Sequence, residues 1–142
     1  MENQIEETMK RAFYDLIEVN TNPANPDYDW IVSLYKEIKM MLMRFLKKDS
    51  AVYNEIDKSF DVELFEQMIR ADVFSPESMY KLIETTYYWI KKLGAPFRDG
   101  EVDESKERIV KSPLNTIIVM YLKETHECLS HYEQDMIEYL RK

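Results

Sequence analysis

The last part of the chain carries residue types that can bind metals. Glu127, His131 and Asp135 are spaced four residues apart, and two further candidates, His126 and Cys128, lie beside them. Residues four apart share one face of a helix, and two such ligands can bind zinc. The alternative is a solvated acidic face with one glutamate–histidine contact. Because the chain contains neither His-x-x-x-His nor Cys-x-x-Cys, we favour the acidic face and predict no metal ligands.

Catalytic motifs are equally weak. The sequence contains no glycine-rich phosphate loop and no signal for a serine nucleophile on a strained turn. Carboxylates occur throughout this acidic chain, so their presence does not indicate acid–base catalysis. Cys128 within a helix is more typical of a small buried residue than of a nucleophile. The sequence therefore predicts no catalytic residue, no cofactor and no enzymatic activity.

A charged pair directly after a helix stop is the most specific feature. Gly94 and Pro96 end an apolar helix, and Arg98-Asp99 follow at once. In a structural interpretation, Arg98 clamps a carboxylate on a neighbouring helix and Asp99 caps the next element. In a functional one, the pair lies at a ligand or partner site. We favour the structural role and predict Glu37 as the partner of Arg98, but both interpretations stay open.

The elements that must position these residues are helical. Apolar residues at three- and four-residue steps predict helices at 3–19, 30–46 and 52–60, from Asp61 to Ile69, and at 75–93 and 113–141. Ser75-Pro76 and Ser112-Pro113 are helix-start signals. We predict loops at 20–26 and 99–111, the second with at most a short helix and with the highest mobility. The fold class is therefore all-α: a single-domain bundle of about six helices over 1–142, with a long C-terminal helix and with 30–46, 75–93 and 113–141 at its centre.

The first helix carries its apolar residues on one face, made of Ile5, Met9, Ala12, Phe13, Leu16 and Ile17. A second set of residues, on the 75–93 helix, bears on assembly. Tyr80 and Tyr87 lie off the main apolar side of the 75–93 helix, with Tyr88 beside them. Tyrosine is enriched in protein interfaces, so these rings are candidates for partner binding. The alternative is that a terminal helix of the same chain covers them.

Composition limits the partners. The 142 residues carry a net charge of −8, which repels nucleic acid and anionic membranes. The longest apolar run, 117–122, is too short to span a bilayer. The N-terminus shows no signal peptide, and the single cysteine favours a reducing compartment. We therefore expect a cytoplasmic protein that binds another protein, with no nucleic acid and no membrane span.

Three segments together resemble the t-complex 11 family. Leu34-Tyr35-Lys36-Glu37-Ile38-Lys39 is similar to a family pattern of leucine and then Glu-Ile. The segment 55–64 resembles a Glu-Ile followed by Leu-Asp, with Phe60 in place of the leucine. Gly94-Ala95-Pro96-Phe97-Arg98-Asp99 is similar to the signature Cys-Ala-Pro-x-Arg-Asp, with glycine in place of cysteine. Order and spacing agree over about 28–100.

The resemblance implies a shortened, non-enzymatic member of a family whose animal and fungal proteins are linked to cyclic-AMP and protein-kinase-A signalling. The predicted function is a protein-interaction module of t-complex 11 type. The partner-binding candidates are Glu37, Arg98, Asp99, Tyr80 and Tyr87. The alternatives are a self-assembling structural protein, for example from a large DNA virus, and a metal-binding helical protein using the face from His126 to Asp135. A homo-oligomer is left open.

Overall fold

The computed structural model describes residues 2–22, 25–71 and 75–141, with side chains from residue 4 onward. These residues form seven α-helices, and no strand occurs among them. The helices are α1 (Glu2–Asn20), α2 (Tyr28–Met43), α3 (Ala51–Ser59), α4 (Val62–Arg70), α5 (Pro76–Leu93), α6 (Asp99–Val110) and α7 (Ile117–Arg141), with a 3-10 turn at Pro96–Arg98 before α6. The all-α class and the long last helix are confirmed. Pro23 and Ala24, within the predicted loop at 20–26, lie outside the described residues.

Side-chain caps explain where several helices begin. Asp27, Ser50, Asp61 and Ser75 each accept a hydrogen bond from the backbone N–H three residues later, at 3.0–3.2 Å. Such a bond satisfies a donor that the first turn leaves unpaired. Pro76 follows Ser75 at the first helical position, as predicted.

The second predicted start signal does not work in the same way. The hydroxyl of Ser112 donates to the carbonyl of Arg108, 2.8 Å away, and therefore belongs to the end of α6. Pro113 begins a separate turn, closed by a 3.0 Å bond from the N–H of Thr116. As a result α7 begins at Ile117 rather than at 113.

The prediction of a loop at 99–111 is wrong. The segment forms the twelve-residue helix α6, which packs on α5 and α7. Its buried residues Val102, Ser105 and Ile109 are spaced three and four apart and therefore share one face. Its charged residues pair with neighbouring helices, as in the 2.8 Å contact between Lys106 and Glu84. The few aliphatic residues of this segment are enough to anchor α6 because Val102 and Ile109 both lie on its buried face.

The core lies between α2, α5 and α7, as predicted. Its fully buried residues include Ile38 and Leu42 of α2, Ile83 and Tyr87 of α5, and Tyr121, Leu122 and Leu129 of α7. A 2.9 Å hydrogen bond joins the hydroxyls of Thr86 and Tyr121 between α5 and α7. Because burial without a partner is unfavourable for a hydroxyl, this bond stabilises the contact between the two helices. In the described part of the chain, no helix is both long and apolar enough to cross a membrane.

Helix α1 packs on α7 and, to a smaller extent, on α2. Lys10 of α1 pairs with Glu127, whereas Glu18, further along α1, pairs with the earlier residue Lys123, so the two helices run antiparallel. Ile17 is fully buried in this contact. The remainder of the apolar face of α1 is largely exposed.

Candidate functional site

The Arg98-Asp99 pair lines a cleft between α6 and α7. The cleft has a volume of about 230 Å³, and charged residues are prominent among those that line it. One wall comes from the 3-10 turn and α6, and the other comes from α7. Its lining includes Arg98, Asp99, Glu101, Ser105, Arg108, Glu124, Glu127, Cys128, His131 and Asp135.

Arg98 closes one end of the cleft through a bidentate ion pair with Asp135. Its Nε and one terminal nitrogen donate to the two carboxylate oxygens of Asp135 at 3.0 and 3.1 Å. The other terminal nitrogen donates to Glu101 at 3.1 Å. The hydrogen bonds to Asp135 raise the pKa of Arg98 further above its usual range. The predicted pairing of Arg98 with Glu37 is therefore wrong, because α7 rather than α2 faces the turn.

The backbone before Arg98 depends on a close approach at Gly94. The N–H of Gly94 donates to the carbonyl of Ile90 at 2.9 Å and ends α5. A Cβ atom at residue 94 would lie 2.8 Å from the same carbonyl oxygen. At Gly100, in the first turn of α6, a Cβ atom would meet nothing within 4 Å. The two glycines of the chain therefore differ in the space available to a side chain, and Gly100 serves as the control for Gly94.

Substitution of these glycines by alanine should have opposite effects. We expect Gly94→Ala to lower the free energy of unfolding by about 1–3 kcal/mol, because the end of α5 must shift to relieve the clash. Gly100→Ala should be neutral or stabilising by up to about 1 kcal/mol, since alanine favours helix. Urea unfolding of both variants checks this. Equal effects of the two changes would contradict the crowding at residue 94.

A chain of hydrogen bonds closes the other end of the cleft. Arg108 donates to both oxygens of Glu124, at 2.6 and 3.1 Å, and the hydroxyl of Ser105 donates to the same carboxylate at 2.8 Å. Behind them, the buried hydroxyl of Tyr87 lies 3.3 Å from the hydroxyls of Ser105 and Thr125. Tyr87 is thus a core residue that supports the cleft, and the prediction that it lies at an interface is wrong.

The groups between the two arginines show little catalytic potential. Burial raises the pKa of the Cys128 thiol, so it stays protonated at neutral pH and is a poor nucleophile. His131 lies 3.4 Å from Glu127 and 3.8 Å from Glu101. Burial alone would raise the pKa of Glu127, but hydrogen bonds from Lys10 and Tyr14 outweigh it, and the pKa is lowered. Glu127 is therefore an ionised anchor for α1.

The metal-binding alternative gains no support from this geometry. Within the described ranges, no group of three or more His, Cys, Asp or Glu residues is gathered closely enough to hold a metal ion. Asp135 is engaged by Arg98, and Glu127 by Lys10 and Tyr14. His126 lies on another side of α7, with its ring 4.3 Å from that of Phe13. Burial lowers the pKa of His126 and favours the neutral imidazole.

The five candidate residues do not form one site. Arg98 and Asp99 share the cleft, and Tyr87 supports it from behind. The predicted cap by Asp99 is wrong, because Asp99 is the first residue of α6 and no side-chain hydrogen bond caps that helix. Glu37 is exposed on α2, where its charge acts on His126. Tyr80 is exposed on α5, and Tyr88 is exposed with its ring edge-on to Trp89. Their exposure leaves Tyr80 and Tyr88 available to a partner.

Sequence reasoning missed an exposed apolar row on α1. The α1 row consists of Ile5, Met9, Leu16 and Val19, whose exposed fractions are 60%, 67%, 47% and 69%. The apolar period that predicts this helix is real, but most of its apolar face points to solvent. The apolar spacing of the α1 row is visible in the sequence. That spacing does not specify whether the row is covered by this chain or by another molecule.

The fold and the cleft define an all-α helical bundle in which Arg98, in the turn that begins at Pro96, joins the start of α6 to α7. The T-complex protein 11 sequence profile matches residues 1–141, and the chain belongs to that family. It is 26% identical over 140 residues to the human T-complex protein 11 homolog and 24% identical over 140 residues to mouse T-complex protein 11. The rat homolog is 27% identical over 141 residues.

These alignments cover 98% of this chain but only 23–26% of each relative. The chain therefore spans about a quarter of the length of the curated relatives it matches. No solved structure matches it. The family resemblance carried by the three motifs is confirmed.

Proposed function

We propose that this protein is a non-catalytic protein-interaction module of t-complex 11 type. The observation that carries the proposal is the α1 row, in which four large apolar side chains remain exposed along one helix. A contiguous apolar surface of this kind is typical of a site that binds another protein. The cleft supports the non-catalytic part, because the Arg98 and Arg108 guanidiniums are engaged by carboxylates and the Cys128 thiol is protonated.

The test compares capture of partners by three forms of the full chain. The row variant carries Ile5→Ser, Met9→Ser and Leu16→Ser, and the control carries Met40→Ser on the exposed side of α2. We expect a protein that co-purifies from the native cell with the parent and the control but not with the row variant. Identical sets of captured proteins from all three forms would contradict the proposal. Circular dichroism checks that each form is helical.

The proposal extends to cyclic-AMP and protein-kinase-A signalling, which the family resemblance implies. The supporting argument is family membership alone, and the chain spans only about a quarter of its longer relatives. The same capture experiment addresses it, through the presence or absence of kinase subunits among the proteins that depend on the α1 row. Their absence would remove the signalling part and leave the interaction module.

Self-assembly is the second candidate, and the α1 row is also the observation that favours it. Apolar residues exposed on one copy could be buried against a second copy. Sedimentation velocity of the parent and the row variant distinguishes the two candidates. A parent that is dimeric or larger, with a monomeric row variant, would favour the structural protein over the module that binds another chain.

A further inference from the structure

We infer that the α1 row, together with the groove between α1 and α7, binds a basic amphipathic helix from a partner protein. This inference rests on the proposed interaction function and names the chemistry of the partner. Three observations carry it: the spacing of the row, the groove beside it and the charge of the two helices that form the groove.

The spacing of the row fits a partner helix. The four residues of the row and Ala12, which lies between Met9 and Leu16, follow one another at alternating steps of four and three residues. This is the heptad spacing with which one helix packs along another. Ala12 is exposed at the middle of the row and, being small, allows close approach there. The row spans fifteen residues of a nineteen-residue helix, which is about four turns.

The groove extends the row toward α7. It has a volume of about 630 Å³ and is lined by residues that include Met9, Phe13, His126 and Gln134. Met9 belongs to both the row and the groove, so one docked helix can contact both surfaces. Phe13 and the neutral ring of His126 give the groove an apolar side. Glu6 and Glu7 give it an acidic edge.

The charge of α1 and α7 indicates which kind of partner helix would bind. α1 contains five acidic and two basic residues, and α7 also contains five acidic and two basic residues, counting histidine as neutral. Each helix thus carries −3. Three carboxylates of α7, those of Glu124, Glu133 and Asp135, are offset by Arg108, Arg44 and Arg98 of other elements. The negative charge next to the row therefore comes mainly from α1, whose acidic residues include Glu6, Glu7 and Asp15. Two of their four cations, Lys10 and Lys123, already pair with Glu127 and Glu18. The field therefore favours a partner rich in lysine or arginine.

The same negative charge disfavours two other possible occupants of the row, a second copy of this chain and an anionic membrane. A second copy would bring another acidic α1 against this one, and like charges across an interface are unfavourable. An anionic membrane would meet the same negative field. A helix with an apolar face flanked by basic residues satisfies both the row and the field.

The experiment uses the full chain and two designed helical peptides of about three heptads, each with leucine at the a and d positions. One peptide carries lysine at its remaining positions and the other carries glutamate. Fluorescence anisotropy is measured for the parent, for the row variant Ile5→Ser, Met9→Ser, Leu16→Ser and for the control Met40→Ser. The row variant keeps every charge of the parent, so a loss of affinity reports the apolar contact.

We expect the lysine peptide to bind the parent and the control at least about tenfold more tightly than the glutamate peptide. The row variant should lose about tenfold or more, and an increase from about 50 to about 500 mM NaCl should weaken binding. Equal binding of both peptides, or an unchanged row variant, would overturn the inference. Row-dependent binding to anionic vesicles, or row-dependent dimerisation in sedimentation, would overturn it in favour of those occupants.

The outcomes separate this inference from the proposed function. If neither peptide binds but the row variant still loses a captured protein, the basic helix is wrong and the interaction module stands. If the row variant changes neither peptide binding nor capture, both are wrong.

Discussion

Arg98→Ala should lower the free energy of unfolding by about 2–3 kcal/mol. Arg98 and Asp135 have side chains that are 26% and 21% exposed, so their pair lies between a surface contact and a buried one. Removal of the guanidinium leaves the Asp135 carboxylate without its two charge-assisted hydrogen bonds, at distances of 3.0 and 3.1 Å. The pair also joins residues 37 positions apart, and its loss should loosen the contact between the turn and α7.

Urea unfolding of Arg98→Ala, Asp135→Ala and the double variant measures the coupling. We expect the double variant to lose less free energy of unfolding than the sum of the two single variants, because either change alone already breaks the pair. Arg70→Ala is the control, since Arg70 is an exposed arginine that also pairs with two carboxylates, Glu66 and Asp29. Its loss should stay below about 1 kcal/mol. If Arg98→Ala has the same free energy of unfolding as the parent, the pair does not stabilise the fold, and Arg98 is better interpreted as a binding residue.

The local signals in the sequence were sufficient for most helix boundaries. Ser75 followed by Pro76 starts α5 as predicted, and Asp61 caps α4. These signals work because the cap and the group it satisfies lie within three residues of each other. Ser112-Pro113 has the same pattern but is part of the turn after α6. A pattern of this kind shows that a helix is near, and the neighbouring element decides which residue begins it.

The partner of Arg98 could not be predicted in this way. The chain offers 27 acidic residues, and the choice among them depends on which helix passes the turn after α5. Tyr87 illustrates the same limit, because its position off the main apolar face did not reveal that α6 and α7 meet over it. The α1 row shows the opposite error. Its period was correct, but an apolar face does not specify whether the same chain covers it.

The segment 99–110 gives the sharpest test of the structure, because the sequence predicts a mobile loop there. Ile109 has no exposed surface, whereas its neighbour Val110 is exposed on the same helix. Ile109→Ala should lower the free energy of unfolding by about 2–5 kcal/mol, since it removes buried methyl groups and leaves a cavity on the buried side of α6. Val110→Ala should change it by no more than about 0.5 kcal/mol.

Hydrogen exchange provides a second measurement on the same segment. The amides of α6 should be protected to a degree comparable with those of α5, because α6 closes its own backbone hydrogen bonds and buries Val102, Ser105 and Ile109. Ile109→Ala should remove much of that protection, while Val110→Ala should retain it. For the same reason trypsin should cleave slowly at Lys106 and Arg108 in the parent and faster in Ile109→Ala. Equal stability of the two variants, with unprotected amides in the parent, would show that 99–110 is the loop predicted from its charge and that the Arg98 cleft lacks its α6 wall.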